Sequence, residues 1–218
     1  MYTKVSRIDE LTIGDHHYLG AGDECYYLGE YTAKQGYSYS NTNQLISNLK
    51  KGIEKKNKPE YWHKEDAISR VAYILSRLVN DATCNQCTFV PVPPSKSQHD
   101  ALFDDRLMQI LTQLSALKGG AVDFRRVVDQ PQSIDVPSHL SVVRKSPEEL
   151  YDMYEIDEST TNNLKDVLLI FDDVITAGSH FTAMKRILSE KFPQKKIAGL
   201  FIARTERSSD MFDDISLD

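Results

Sequence analysis

Cysteine is scarce in this chain and odd in number, with Cys25, Cys84 and Cys87 as the whole set. So few thiols cannot staple a secreted disulfide scaffold, and reduced side chains are the expectation. Long apolar runs are missing as well. The stretch 167–171 holds five apolar residues and no run is longer, whereas a membrane helix needs about twenty. Residues 1–10 carry no apolar core of a signal peptide. These absences point to a cytoplasmic protein without a membrane partner. Positive charge is not in excess either: 26 Lys and Arg face 32 Asp and Glu, a formal net charge of −6. That balance disfavours broad binding to nucleic acid, while leaving room for one local basic cleft around a small anion.

What is present is a chain of 218 residues, 40% of them apolar, enough for one core with an appended subdomain. Residues 1–60 are rich in tyrosine and glycine, with a β-like piece at 25–31 and a short helix over 44–51 capped by Thr42 or Asn43. They read as an N-terminal appendage or hood. The lysine-rich stretch 50–58 reads as a solvated connector. From 61 to 207 the pattern alternates. Ala67, Ile68, Val71, Ala72 and Leu75, at three- and four-residue spacing, predict a helix over 63–79. A strand at 88–92, a helix over 100–117 closed by Gly119 and Gly120, and a strand at 122–128 follow. Ser146-Pro147-Glu148-Glu149 is a helix start with a capping box. A strand at 166–171, a helix over 179–191 and a strand at 196–203 complete the run. Such alternation implies parallel crossover units, hence an α/β core with an open parallel sheet flanked by helices. Residues 208–218 form an acidic tail, either frayed or a docking strip for a protein partner or a second copy of the chain.

The segment 167–181 carries the chemistry. Five apolar residues without polar alternation describe a strand buried on both faces. Asp172 and Asp173 then fall where the strand is expected to end, the edge at which open α/β sheets place ligands. The loop behind them delivers Thr176, Ala177, Gly178, Ser179 and His180 to the start of a helix, where unbonded N–H groups and the helix dipole favour a phosphate. The hydroxyls of Thr176 and Ser179 add donors, and the two carboxylates are suited to the vicinal hydroxyls of a ribose. An acid pair of the haloacid dehalogenase or receiver kind is the main rival reading. Neither requires the Thr-Ala-Gly-Ser continuation.

This run resembles the phosphoribosyl pyrophosphate (PRPP) loop of type I phosphoribosyltransferases, in which a hydrophobic strand precedes two acids, two spacers, Thr, a small residue and Gly. The resemblance extends over 88–204. Phe89-Val90-Pro91-Val92-Pro93-Pro94-Ser95-Lys96, a helix containing Arg106, the strand 124–128 leading to Gln130 or Gln132, and Arg144 are similar to the ComF-like branch. It implies a phosphoribosyltransferase-like open parallel sheet with a small N-terminal hood. It also implies catalytic Asp172 and Asp173 on the ribose, the 5′-phosphate on residues 176–180, and pyrophosphate on Ser95, Lys96 and Arg106. Mg²⁺ would be held through the ligand, with Asp172 and Asp173 reaching it through water. The segment 129–146 would close over the site. The chain departs from the branch in lacking its N-terminal zinc ribbon, in having no evident asparagine after the later arginine, and in placing His180 where threonine or serine is common.

The activity so implied is transfer of the phosphoribosyl unit to an unidentified acceptor, or its hydrolysis, with release of pyrophosphate. Two alternatives stay open: a non-catalytic PRPP- or nucleotide-binding regulatory module, and an effector subunit of a retron-type antiphage defence system. Cys84 and Cys87 have zinc-knuckle spacing but lack an obvious second pair unless His16, His17 and Cys25 fold back, so structural thiols are the expectation. Tyr26, Tyr27, Tyr37 and Tyr39 are packing residues or a hood that stacks on a base.

Overall fold

The computed structural model describes residues 2–133 and 145–206. Its strands are β1 (Ser6–Arg7), β2 (Cys25–Thr32), β3 (Cys87–Pro91), β4 (Asp123–Phe124), β5 (Val128–Asp129), β6 (Glu155–Ile156), β7 (Val167–Ile175) and β8 (Lys196–Glu206). Its α-helices are α1 (Asn41–Leu49), α2 (Trp62–Leu78), α3 (Asp81–Gln86), α4 (Arg106–Leu117), α5 (Pro147–Tyr151) and α6 (Ser179–Lys191). Six strands form one mixed sheet in the order β1-β2-β8-β7-β3-β4, parallel except for the short edge strand β1. β5 and β6 make a separate antiparallel pair. The chain is therefore an α/β protein with helices flanking a central sheet. Among the described residues no helix is long and apolar enough to cross a membrane.

The unbroken apolar run of β7 places it between β3 and β8, with Leu168, Ile170 and Phe171 fully buried. From β3 the chain crosses through α4 to β4 on one side, and from β7 it crosses through α6 to β8 on the other. Right-handed crossovers running in opposite directions put α4 and α6 on opposite faces and create a topological switch point between β3 and β7. α2 packs against α1 and α4, and α5 packs against α6. Phe181 of α6 meets Phe201 of β8 edge-to-face with ring centroids 6.2 Å apart, an arrangement worth about 1 kcal/mol beyond the area it buries.

Several boundaries differ from the sequence reading. The strand expected at 122–128 is two pieces: Asp123–Phe124 pairs with β3, after which Arg125 bonds Asp123 and the carbonyl of Thr160, and Val128–Asp129 pairs with β6. The helix expected from residue 100 starts at Arg106. β7 runs to Ile175 because β8 continues beside it, so Asp172 and Asp173 lie within the strand. The first helix is capped by Ser40, whose side chain accepts from the Asn43 N–H. The capping box at Ser146 and Glu149 forms as expected.

The largest difference concerns residues 1–60, expected as an appendage. β2 is a parallel strand of the main sheet, in register with β8 from Cys25 opposite Gly199 to Thr32 opposite Glu206. Leu45, Ile46 and Leu49 of α1 are buried in the same core as Ile68 and Leu75 of α2 and Ile110 and Leu111 of α4. The piece expected at 25–31 is a strand, but its place in the main sheet was not expected, because no crossover helix directly precedes it and its partner β8 is far away in sequence. A chain beginning at residue 60 would expose the length of β8 as an unpaired apolar edge. We expect such a chain to be insoluble or to lack a cooperative melting transition, whereas an independent appendage would leave a folded 60–206 core, as circular dichroism melting would show.

Candidate functional site

The site lies where β7 outruns β3. Pairing with β3 stops at Phe171, and the Val92 N–H closes it by bonding the Phe171 carbonyl at 2.9 Å, while pairing with β8 continues to Ile175. The acid pair therefore projects beyond one neighbour at the switch point, and successive strand side chains point to opposite faces. Asp173 is buried and fully engaged. Its Oδ2 accepts from Arg106 Nε at 3.0 Å and Nη2 at 2.5 Å, and its Oδ1 lies 3.1 Å from Lys50 Nζ. Arg106 also donates from Nη1 to Asp104 Oδ2 at 2.8 Å. Asp104 in turn pairs at 2.6 Å with Lys64, whose side chain is fully buried and also donates to the Lys51 carbonyl at 2.7 Å. Asp172 accepts the Asp173 N–H at 2.7 Å.

These surroundings split the two carboxyls. Burial, then the adjacent Asp173, pushes Asp172 well above the usual carboxylate range. Burial would do the same to Asp173, but Arg106 and Lys50 outweigh it and hold that carboxyl below the usual range. Coupled acids whose environments drive them apart are a hallmark of functional sites.

Gly178 sits at the N-terminus of α6 with φ +92°, a left-handed conformation that a side chain would strain, and a Cβ there would lie 3.1 Å from Leu19 Cδ2. The N-terminal segment backs this loop. His16 donates from Nδ1 to the Thr176 carbonyl, Tyr18 N–H donates to the Ala177 carbonyl at 2.8 Å, and Thr182 Oγ1 donates to the Tyr18 carbonyl at 3.0 Å. In a trans peptide the N–H points opposite to its C=O. Fixing the carbonyls of residues 176 and 177 therefore turns the N–H groups of Ala177 and Gly178 away from residues 16–18. The first N–H groups of α6 add to them, since a helix start leaves them without intrahelical partners. Among the described residues the hydroxyls of Thr176 and Ser179 make no hydrogen bond. The result is a cluster of donors suited to an anion.

His180 follows in the first turn. Its residue opens to solvent, yet surrounding protein pushes its pKa down to about 4, against the pull of Asp173. Tyr154 is buried and its hydroxyl is pushed up by that burial and by Asp172. It lies 2.6 Å from His180 Nδ1. A protonated tyrosine beside a neutral imidazole donates to Nδ1, which leaves the ring proton on Nε2 as a further donor.

The structure thus brings together Asp172, Asp173, residues 176–180 and Arg106. Ser95 and Lys96 lie on the loop after β3. The Ser95 carbonyl accepts from Gln130 Nε2 at 3.0 Å, and Lys96 stands 3.8 Å from Asp100. Arg144 and most of the closing segment, with the acidic tail, lie outside the described residues. Lys50, Tyr154 and His16 were missed by sequence reasoning. Lys50 belongs to a run that reads as a solvated connector, and no spacing links it to a carboxylate more than a hundred positions away. Tyr26 and Tyr27 are in β2, with Tyr27 buried under the Arg204 guanidinium at 5.3 Å, whereas Tyr37 and Tyr39 are exposed ahead of α1. Cys84 and Cys87 are buried free thiols, and no group of three or more metal-ligating side chains gathers among the described residues.

The two acids have opposite signs for stability. Asp172 has a raised folded pKa, so its charge disfavours the folded state above the unfolded carboxylate pKa of about 3.9. Asp173 has a lowered one, so its contribution holds above that pKa and is lost as pH falls through the folded value. We expect Asp172→Asn to raise the melting temperature at neutral pH, with the gain fading as pH falls from about 7 toward about 4, below which both states hold the proton. Asp173→Asn should lower stability by about 2–3 kcal/mol, the low side for a broken buried pair because Asn keeps one acceptor oxygen. That corresponds to roughly 5–10 °C in a domain of this size. Calorimetric melting of both variants from pH 3 to 8 checks the contrast.

No protein-family model matches the chain, and a search of curated proteins finds no match.

Proposed function

We propose that this protein binds Mg-PRPP at the carboxyl ends of β3 and β7 and transfers its phosphoribosyl group to an acceptor, or to water, with release of pyrophosphate. The observation that carries this reading is the continuous order along β7, the loop and α6: two carboxylates with divided pKa values, then a donor-rich loop turned by Gly178 into a helix N-terminus. The first element suits a ribose diol and the second a 5′-phosphate, in the order that a sugar phosphate requires. The same order is what resembles a type I phosphoribosyltransferase, and a parallel sheet with its switch point between β3 and β7 is compatible with that fold.

In this reading the N–H groups at 177–180, the hydroxyls of Thr176 and Ser179 and the Nε2–H of His180 hold the 5′-phosphate. Asp172 and Asp173 accept from the ribose hydroxyls and, ionised, stabilise positive charge developing at C1′. The C1′–O bond to pyrophosphate breaks as a bond from C1′ to the acceptor forms on the opposite face, and the proton of the acceptor leaves to solvent or a nearby base. Two adjacent carboxylates are hard oxygen donors that fit Mg²⁺ through water, and the ion, when it arrives with the substrate, neutralises pyrophosphate charge. Arg106, fixed by Asp104 and Asp173, adds a permanent positive charge beside the ribose. A second reading, tight binding without turnover, is favoured by one observation: Asp173 already carries two cations in the free protein.

Titration calorimetry with Mg-PRPP, paired with a pyrophosphate-release assay across bases, amines, nucleotides and water, tests the proposal. Asp172→Asn is the decisive variant because it is expected to be at least as stable as wild type, so its loss of binding reports chemistry and not folding. We expect that variant to weaken binding about 10- to 100-fold, as for loss of a charge-assisted contact. Wild-type binding should also weaken as pH falls from neutral, because Asp172 takes up a proton there. Absence of binding by wild type at millimolar Mg-PRPP rejects the proposal, and binding without pyrophosphate release from any acceptor selects the second reading.

A further inference from the structure

The two cations on Asp173 differ in freedom. Arg106 has donors committed in two directions, Nε and Nη2 to Asp173 and Nη1 to Asp104, and Asp104 is anchored by the buried Lys64. It cannot leave without uncovering buried charge. Lys50 follows the last residue of α1 and reaches Asp173 Oδ1 by a single contact of 3.1 Å from a side chain that is 47% exposed. An ammonium carries three donors on a flexible stem, and among the described residues its ion-pair partner is Asp173.

Resting on the reading above, we propose that Lys50 is the pyrophosphate-binding cation and selects pyrophosphorylated over unphosphorylated C1′. The ribose hydroxyls need the carboxylate oxygen that Lys50 occupies, because Arg106 already holds the other. A hydroxyl that donates to Asp173 Oδ1 displaces Lys50 into the crevice, where it needs a new anion. In PRPP that anion comes with the ligand: the pyrophosphate is attached to C1′, next to the carbon that bears the 2′-hydroxyl. Ribose 5-phosphate offers the same hydroxyls and the same 5′-phosphate but no anion at C1′, so it must displace Lys50 without compensation. Lys96, on the loop after β3, stands toward Asp100; Lys50 is the cation already at the diol-binding acid.

The two ligands should therefore respond to Lys50 with opposite signs. Calorimetric affinities of Mg-PRPP and ribose 5-phosphate are measured for wild type, Lys50→Met and Lys50→Arg, with melting temperatures as a folding control. Lys50→Met should weaken Mg-PRPP about 10- to 100-fold and leave ribose 5-phosphate unchanged or bound more tightly, while Lys50→Arg restores most of the Mg-PRPP affinity. Equal weakening of both ligands, or no change for Mg-PRPP, overturns the assignment while leaving the functional reading intact. Wild type that binds neither ligand overturns both.

Discussion

A carboxylate buried at the end of a sheet cannot remain ionised alone, and Asp173 is ionised because Arg106 and Lys50 hold it. The rest of the site follows from that constraint. Arg106 needs Asp104 to fix its second edge, and Asp104 needs Lys64, so charges of alternating sign run from α2 through the start of α4 to β7. Lys50 closes the chain from the end of α1. Each buried charge is compensated by the next, which is the condition under which such groups are tolerated in an interior. Asp172 is the member left outside. With no cation in direct contact among the described residues and a like charge beside it, it bears the electrostatic cost of the arrangement, and that cost places its titration closer to neutrality.

This constraint also accounts for the place of the first sixty residues. A hood would have no need to enter the core. Lys50 must reach Asp173, and α1 delivers it because Leu45, Ile46 and Leu49 bury against α2, while Asn43 ties α1 back to β2 through the Thr32 carbonyl at 3.0 Å. At the far end of β2, Arg204 of β8 draws Glu30 and Asp15 together at 2.6 and 2.8 Å. The segment between β1 and β2 thereby arrives behind the loop at residues 176–178, where His16 and Tyr18 take its carbonyls. One region of sequence thus completes the sheet, neutralises an acid and orients the N–H groups of the loop before α6.

How much of this was legible depended on the range of the interaction. The segment 167–181 could be read because its meaning is largely local: an apolar run sets strand burial and Gly178 with a following amphipathic stretch starts a helix, although the strand continues through Asp172 and Asp173 to Ile175 because β8 lies beside it. Ser146 and Glu149 were legible for the same reason, since a capping box spans four residues. β2 was legible as a β-like piece at 25–31, but its place in the main sheet was not, because its pairing with β8 joins positions about 175 apart. Lys50 was hidden by its composition. A lysine among lysines reads as solvated surface, and only the fold reveals that one of them faces a carboxylate. The overextension of the strand predicted at 122–128 has a different cause: Arg125 turns the chain by side-chain bonds to Asp123 and to two backbone carbonyls, which no hydrophobic pattern records.

The two ends of the site make incompatible demands on a simple ligand. The loop and helix start present N–H groups and hydroxyls, which want negative charge. The acid pair presents acceptors, which want donors and reject negative charge. Inorganic phosphate satisfies the first and is repelled by the second; a neutral sugar satisfies the second and leaves the first to water. A phosphorylated sugar meets both in one molecule, because its hydroxyls are held away from its phosphate by the carbon frame. Charge division within the acid pair then refines the choice. On the proposed reading, with Asp173 covered by cations and Asp172 able to carry or release a proton, the diol end would tolerate a second anion near C1′ where two bare carboxylates would exclude it. The feature that makes the buried pair stable enough to exist is, on the proposed reading, the same feature that admits a pyrophosphate beside it.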